Sequence, residues 1–275
     1  MNFKRIPKSN LHTHTRFCDG ANTAEEMVLS AIEKGMEALG FSGHSPVFFD
    51  PSCSMSPENE RLYRQEILRL KELYKDRIHI LLGIEQDFYS DSPAVGYDYI
   101  IGSVHYFHLN EKYPSIDQSK ETTENLIKQY FGGDPYRFVR HYYGLVAQVA
   151  DKTNCDIVGH FDLITKFNER GDMFDETDPR YLRSALDALD ALLEKDVIFE
   201  INTGAISRGY RRTPYPAPIF LHRIAEKRGR VTFSSDSHHR DTLLQSYPEA
   251  IHIARSAGLG SIEVMTRNGW KTWPL

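Results

Sequence analysis

Seven short apolar runs, separated by stretches with helical periodicity, constrain this chain more than any other feature. The runs cover residues 6–14, 37–44, 78–87, 97–105, 156–162, 197–203 and 230–236. Between them, Thr23 and Glu26 have the spacing of a capping box and open a first helix. Tyr63, Ile67, Leu70 and Tyr74 recur at helical intervals, as do Val139, Tyr142, Val146 and Val149, and then Leu182, Leu186, Leu189 and Leu193. These stripes read as helix faces packed on a sheet. Pro216 and Pro218 start a later helix and Gly229 ends it. Such an alternation predicts an α/β fold with a parallel sheet closed as a barrel. At 275 residues the chain suits one barrel. It shows no Gly/Ser linker, composition shift or internal repeat, so residues 1–275 are expected to form a single domain. The stretch 106–136, with Gly132-Gly133-Asp134-Pro135 near its end, is the longest irregular segment and is expected to be a functional or mobile loop.

The polar residues of the runs gather at their C-terminal ends. His12 and His14 close the first, with Asp19 in the loop that follows. Residues two apart on a strand share a face, so the two imidazoles can hold one metal ion together. His44 closes the second run, Glu85 lies near the end of the third, His105 ends the fourth and His160 the fifth. Asp236 and His238 repeat the two-residue spacing at the seventh. In a parallel barrel all of these ends meet on one rim, where barrel enzymes keep their active sites. Chance placement would scatter the residues among helices and strand starts. Imidazole and carboxylate together suit zinc, iron or manganese. Three acids brought together also need cations, because like charges in a dry site cannot all ionise.

The segments His12-Thr13-His14 with Asp19, Gly43-His44-Ser45-Pro46, Gly83-Ile84-Glu85, Ser103-Val104-His105, Gly159-His160-Phe161-Asp162 and Ser234-Ser235-Asp236-Ser237-His238 resemble the successive motifs of the polymerase and histidinol phosphatase (PHP) superfamily. The resemblance runs from Leu11 to His238. The strand end Asn202-Thr203-Gly204, the nearby Arg208 and the compact length are most similar to its bacterial histidinol-phosphate phosphatases. It implies a distorted seven-stranded (β/α)7 TIM-like barrel with a trinuclear centre of divalent zinc, iron or manganese at the C-terminal rim. Carried onto this sequence, His12, His14, Glu85 and Asp236 would hold one metal. Glu85, His105 and His160 would hold a second, with Glu85 bridging, and Asp19, His44 and His238 a third. The implied reaction is hydrolysis of L-histidinol phosphate in histidine biosynthesis, by hydroxide formed between metals. Another small phosphate ester, a nucleotide or a nucleic-acid-processing role are the alternatives. Arg208 is the expected phosphate clamp, since a guanidinium offers two donors to phosphate. Lys166 and Asn202 are further substrate-binding candidates. Asp19, His44 or a metal-bound water would protonate the leaving alkoxide.

Composition excludes other classes. A net charge of -5 gives no broad phosphate-binding face, and the run 208–212 is too short to supply one, so no nucleic-acid partner is expected. No apolar run approaches membrane-spanning length, and the first residues lack a signal peptide's apolar core, so a cytoplasmic protein with no membrane partner is expected. Three widely spaced cysteines without a C-x-x-C pair indicate neither a disulfide framework nor a zinc knuckle. Some site-like residues have plainer readings. His79 sits at a strand start and reads as structural, and His108 and His239 fall off the two-residue beat. His141, His222 and His252 lie in helices. Asp162 is expected to orient a ligand or the substrate. The tyrosines of 106–143 suit a pocket wall or core packing equally.

Overall fold

The computed structural model describes residues 8–275. Seven strands pair in sequence order, every pair parallel: β1 (Ser9–Asn10), β2 (Ala38–Phe41), β3 (His79–Asp87), β4 (Tyr99–Ser103), β5 (Ile157–Val158), β6 (Ile198–Asn202) and β7 (Arg230–Ser234). Beyond β1, a parallel bridge joins Thr13 to Ser237 and closes the sheet. His14 N–H donates to the Ser237 carbonyl at 2.9 Å and Ser237 N–H to that of His12 at 3.0 Å. The distorted (β/α)7 barrel read from the sequence is thus the fold. Each of the seven runs contains its strand, although positions 6 and 7 of the first lie outside the described residues. The ladders are shorter than the runs, because the motif residues at the strand ends leave the ladder and turn over the rim.

The barrel interior is apolar below that rim. Leu11, Ala38, Leu81, Tyr99, Ile101, Ile157 and Ile198 pack there with Met265. Tyr99 crosses the inside, and its hydroxyl donates to the carbonyls of Leu11 and Phe41. Gly83 makes room for it: a Cβ there would stand 2.2 Å from a Tyr99 ring atom. Met265 and Trp270 come from an antiparallel hairpin, β8 (Ser261–Thr266) and β9 (Gly269–Pro274), that plugs the barrel floor. The sequence reading omits this hairpin. Its signal was Asn268-Gly269 between two β-rich runs.

Helices α1 (Ala24–Glu33), α2 (Pro57–Leu73), α3 (Lys120–Tyr130), α4 (Pro135–Val146), α5 (Val149–Thr153), α6 (Pro179–Leu193), α7 (Gly204–Ser207), α8 (Pro218–Glu226) and α9 (Tyr247–Ser256) surround the barrel. Thr23 and Glu26 form the reciprocal capping box of α1. The buried face of α2 is Tyr63, Ile67 and Leu70, while Tyr74, the last member of that stripe, caps the helix and is only partly buried. In α6 the stripe is turned: Tyr181, Ala185, Ala188, Leu189 and Leu192 are buried, while Leu182, Leu186 and Leu193 pack at its margin. Helix α6 packs against α4, where the Tyr143 and Tyr181 hydroxyls meet at 2.9 Å. No helix separates β3 from β4, so the alternation lapses once. No described helix is long and apolar enough to cross a membrane.

The segment 106–136 is not a loop throughout. It starts as a short hairpin with bridges Tyr106–Ser115 and Leu109–Lys112. Asn110 and Glu111 at its tip both have positive φ, 49° and 62°, as a type I′ turn requires. Helix α3 follows, capped by Ser119, with Thr123, Leu126 and Ile127 buried. Those few buried positions in a polar helix gave too weak a period to read.

Candidate metal centre

All nine sequence-predicted ligands meet at the C-terminal rim. His12 and His14 follow β1, and Asp19 reaches over from the next loop. His44 follows β2 and bridges to Glu85 of β3. His105 and His160 follow β4 and β5, and Asp236 and His238 follow β7. The ligand-capable atoms fall into four overlapping groups: His12, His14 and Asp236; His12, Glu85 and His160; His44, Glu85 and His105; and His14, Asp19, His44 and His238.

Distances within the first set test whether it suits a metal. His12 Nε2 lies 3.3 Å from Glu85 Oε2 and 3.7 Å from Asp236 Oδ1. His14 Nε2 lies 3.6 Å and 3.3 Å from the same two oxygens. Ligands about 2.1 Å from a tetrahedral ion stand about 3.4 Å apart along each edge. His12 Nε2 and His14 Nε2 are fully buried and make no hydrogen bond, and Glu85 Oε2 faces them. Two orphaned imidazole nitrogens turned to the same carboxylates would be costly unless a cation satisfied them. The donor set therefore fits a divalent metal. The other oxygen of Glu85 faces the second set, with His160 Nε2 at 2.9 Å and His105 Nε2 at 3.3 Å, so this carboxylate is placed to bridge. In the outer set His238 Nε2 lies 3.1 Å from Asp19 Oδ2 and His44 Nε2 3.7 Å from Asp19 Oδ1. His44 has a second allegiance, since its Nδ1 is 2.9 Å from Glu85 Oε2.

The electrostatics point the same way. Burial disfavours the Glu85 carboxylate, but His12, His44 and His105 hold it well below the usual range. Asp236 is held low by Arg208, His12, His14 and His238 against the same burial. Burial also opposes charge on His12, His44 and His105. The facing carboxylates outweigh it, and His105 is pushed up to about 10. His14, buried and crowded by His238 and His44, falls to about 3. Without ions the cluster retains protons as its positive charge, and a metal would displace them.

A second layer of residues escaped the sequence reading. Glu200 of β6 is buried and meets His12 Nδ1 at 2.8 Å, so it holds a proton on Nδ1 and turns Nε2 to the rim, where that nitrogen would ligate once its own proton is displaced. The same carboxylate accepts the His160 N–H at 2.6 Å, Asn202 Nδ2 at 2.8 Å and Ser234 Oγ at 2.6 Å. Asp87 meets His105 Nδ1 at 3.2 Å and Ser103 Oγ donates to Glu85 Oε1 at 2.7 Å. A signal for Glu200 existed: a lone acid between Phe199 and Ile201 inside a buried strand. Asn202 is corrected here. Its amide is fully buried and committed to Glu200 and to the Gly204 N–H, so it positions Glu200 and does not line the cleft. Asp162 is corrected too. One oxygen accepts the Ala217 N–H, the other is an orphan, and neither touches a predicted ligand.

Comparison with protein families matches residues 10–204 to the PHP domain. The chain belongs to the PHP domain family. It is 28% identical over 261 residues to a protein of Deinococcus radiodurans named a probable histidinol-phosphatase, covering 90% of this chain and 92% of that one. It is 25% identical over 256 residues to the histidinol-phosphatase of Bacillus subtilis, covering 85% and 94%. Among solved structures, the histidinol phosphate phosphatase of Lactococcus lactis, crystallised with zinc, L-histidinol and phosphate, shares the fold. It has TM-score 0.69 and 22% identity, covering 96% of this chain and 98% of that one.

Beside the metal cluster this PHP barrel opens a cleft of 590 Å³. Arg208 and Lys166 both line it. Arg208 caps α7 and spends two donors on Asp236, Nη2 to Oδ2 and Nη1 to the carbonyl, each at 2.9 Å. It thereby secures a residue whose φ is +47°, a strained value for an aspartate. Lys166 Nζ is held by Asp117 at 2.9 Å through both carbonyl and carboxylate, and it holds that acid down at about 2 against its burial. The hairpin after His105 lines the same cleft through Tyr106 and Tyr113, with Phe49 stacked on Tyr113 at 4.1 Å between centroids.

Proposed function

We propose that this protein is a metal-dependent phosphomonoesterase that hydrolyses L-histidinol phosphate to L-histidinol and phosphate. The observation that carries the metal chemistry is the convergence of two buried, unpartnered imidazole nitrogens on the Glu85 and Asp236 carboxylates beside an open cleft. The substrate reading is supported by relatives named for that activity along nearly the whole chain. We assign three divalent ions, zinc, iron or manganese. His12, His14, Glu85 and Asp236 hold the first, Glu85, His105 and His160 the second, and Asp19, His44 and His238 the third. When bound, such ions polarise the phosphoryl group and make a water acidic enough to attack it near neutral pH.

The chain's own residues do the rest. Glu200 and Asp87 fix the faces of His12 and His105. Arg208 holds Asp236 and lines the cleft, where its remaining N–H groups are assigned to the phosphate. Lys166, although paired with Asp117, lines the same cleft and can offer an ammonium N–H to a phosphate oxygen. Asp19 and His44 form part of the outer, partly exposed side of the cluster, so protonation of the departing alkoxide is assigned to that side. Residues 8–275 act as one unit, because the final hairpin plugs the floor of the same barrel. The free thiols of Cys18, Cys53 and Cys155 fit a reducing cytoplasm. The test is phosphate release by protein reconstituted with zinc, manganese or iron. L-histidinol phosphate should exceed other small phosphate esters in kcat/KM. If p-nitrophenyl phosphate were cleaved as well, the substrate assignment would fail.

A further inference from the structure

The cleft holds two carboxylates outside the metal cluster, and they differ in one respect. Asp117 is neutralised by Lys166. Asp50 is met by neutral donors: Ser52 Oγ at 2.6 Å and Ser52 N–H at 3.2 Å on Oδ1, and the Tyr106 hydroxyl at 2.9 Å on Oδ2. No ion pair reaches it among the described residues. Those donors keep the carboxyl below its ordinary range in spite of partial burial. An ionised group on a cleft wall with no counter-charge is an open demand for a cation. Its surroundings suit an organic one. Phe49 stacks on Tyr113 with planes 3° apart, and Phe49 meets Tyr106 edge-on at 4.9 Å. Tyr113 is itself sandwiched between Phe49 and His108, stacked at 4.5 Å on its other side, so the wall is a stiff aromatic stack against which an organic ring can pack at the edges. The site also lies within reach of the chemistry. The Tyr106 ring is 6.2 Å from that of the predicted ligand His105, and its hydroxyl ends on Asp50.

We propose that Asp50, backed by the Phe49–Tyr106–Tyr113 wall, is the specificity residue that binds the protonated amine of the substrate's organic half. This deepens the proposed function and rests on it: a phosphate monoester whose alcohol carries an ammonium and a ring matches a cleft lined both by the candidate metal ligands and by a carboxylate beside an aromatic wall. Asp50→Asn keeps shape and can keep the Ser52 contacts, but removes the charge.

The experiment compares kcat/KM for L-histidinol phosphate and its des-amino analogue, in wild type and D50N, both loaded with metal. Wild type should prefer the amine at least tenfold, and D50N should lose about tenfold to hundredfold of that preference, the scale of a hydrogen bond to a charged group. The loss should appear in KM more than in kcat, and inhibition by L-histidinol should weaken in parallel. A purely structural role for Asp50 in its loop would slow both substrates equally and leave the ratio unchanged. That result, or a wild type indifferent to the amine, overturns the assignment while histidinol phosphate is still hydrolysed. A wild type that does not turn over histidinol phosphate at all overturns the substrate reading, and this inference with it.

Discussion

Replacing Glu200 by Gln tests the second layer of the metal centre without touching a predicted ligand. Glu200 accepts from four donors. Oε2 takes His12 Nδ1 and Ser234 Oγ, and Oε1 takes the His160 N–H and Asn202 Nδ2. A glutamine has one acceptor and one donor end. With its NH2 group on the Oε1 side, it faces the backbone N–H of His160, which cannot turn away. A buried donor then goes unmatched, at about 1–3 kcal/mol. With its NH2 group on the other side, Ser234 can rotate and accept, but His12 must accept through Nδ1 and carry its proton on Nε2. That is the atom aimed at Glu85 and Asp236, and a protonated nitrogen cannot ligate. Each orientation therefore costs something, and the cost falls on stability or on the first metal. We expect about tenfold to hundredfold weaker metal binding in E200Q, the range for a partner behind a ligating histidine. Competition with a chromophoric chelator, read beside thermal melting of the metal-free protein, separates the two outcomes. If E200Q bound all of its metal as tightly as wild type and melted at the same temperature, the role of Glu200 as a positioning residue would be refuted.

Glu85→Gln should remove metal and phosphate release together, since both oxygens of Glu85 face ligand sets; full metal content by elemental analysis with full activity would contradict bridging. Gly83→Ala should cost about 1–3 kcal/mol in urea unfolding, because its new Cβ would collide with the Tyr99 ring inside the barrel. Burial raises the Asp162 carboxyl to about 7, against hydrogen bonding from Ala217 and the charge of Arg211. The folded chain then keeps a proton that the unfolded chain releases near pH 4, so this group favours folding at low pH and the contribution is lost as pH rises from about 4 to about 7. Asp162→Asn should flatten that part of the stability profile; identical urea midpoints for variant and wild type at both pH 5 and pH 8 would count against it.

Much of this centre was legible in the chain because strand geometry is local. Side chains two apart on a strand share a face, and a parallel barrel gathers every strand end on one rim. His12, His14, Asp236 and His238 could be grouped from spacing alone, and Glu85, His105 and His160 from their places at strand ends. The leucine stripe of α6 marks only part of its buried face, because Leu182, Leu186 and Leu193 sit at the margin while Tyr181, Ala185, Ala188 and Leu192 join Leu189 inside, a choice set by the surrounding elements. The final hairpin was missed although Asn268-Gly269 signalled it. Its purpose, filling the barrel floor with Met265 and Trp270, is visible only when the interior is assembled.

The sequence by itself determined which residues could bind metal and on which rim they would stand, because periodicity and strand polarity are written in the order of the chain. The tertiary structure decided which atoms face one another. Glu85 turns one oxygen to each of two ligand sets, and Glu200, 188 residues from His12, fixes that histidine's tautomer. Asp50 is left without a cation while Asp117 is paired with Lys166. Those are relations between distant segments, set by closure of the barrel and by the cost of burying charge, and no local pattern encodes them.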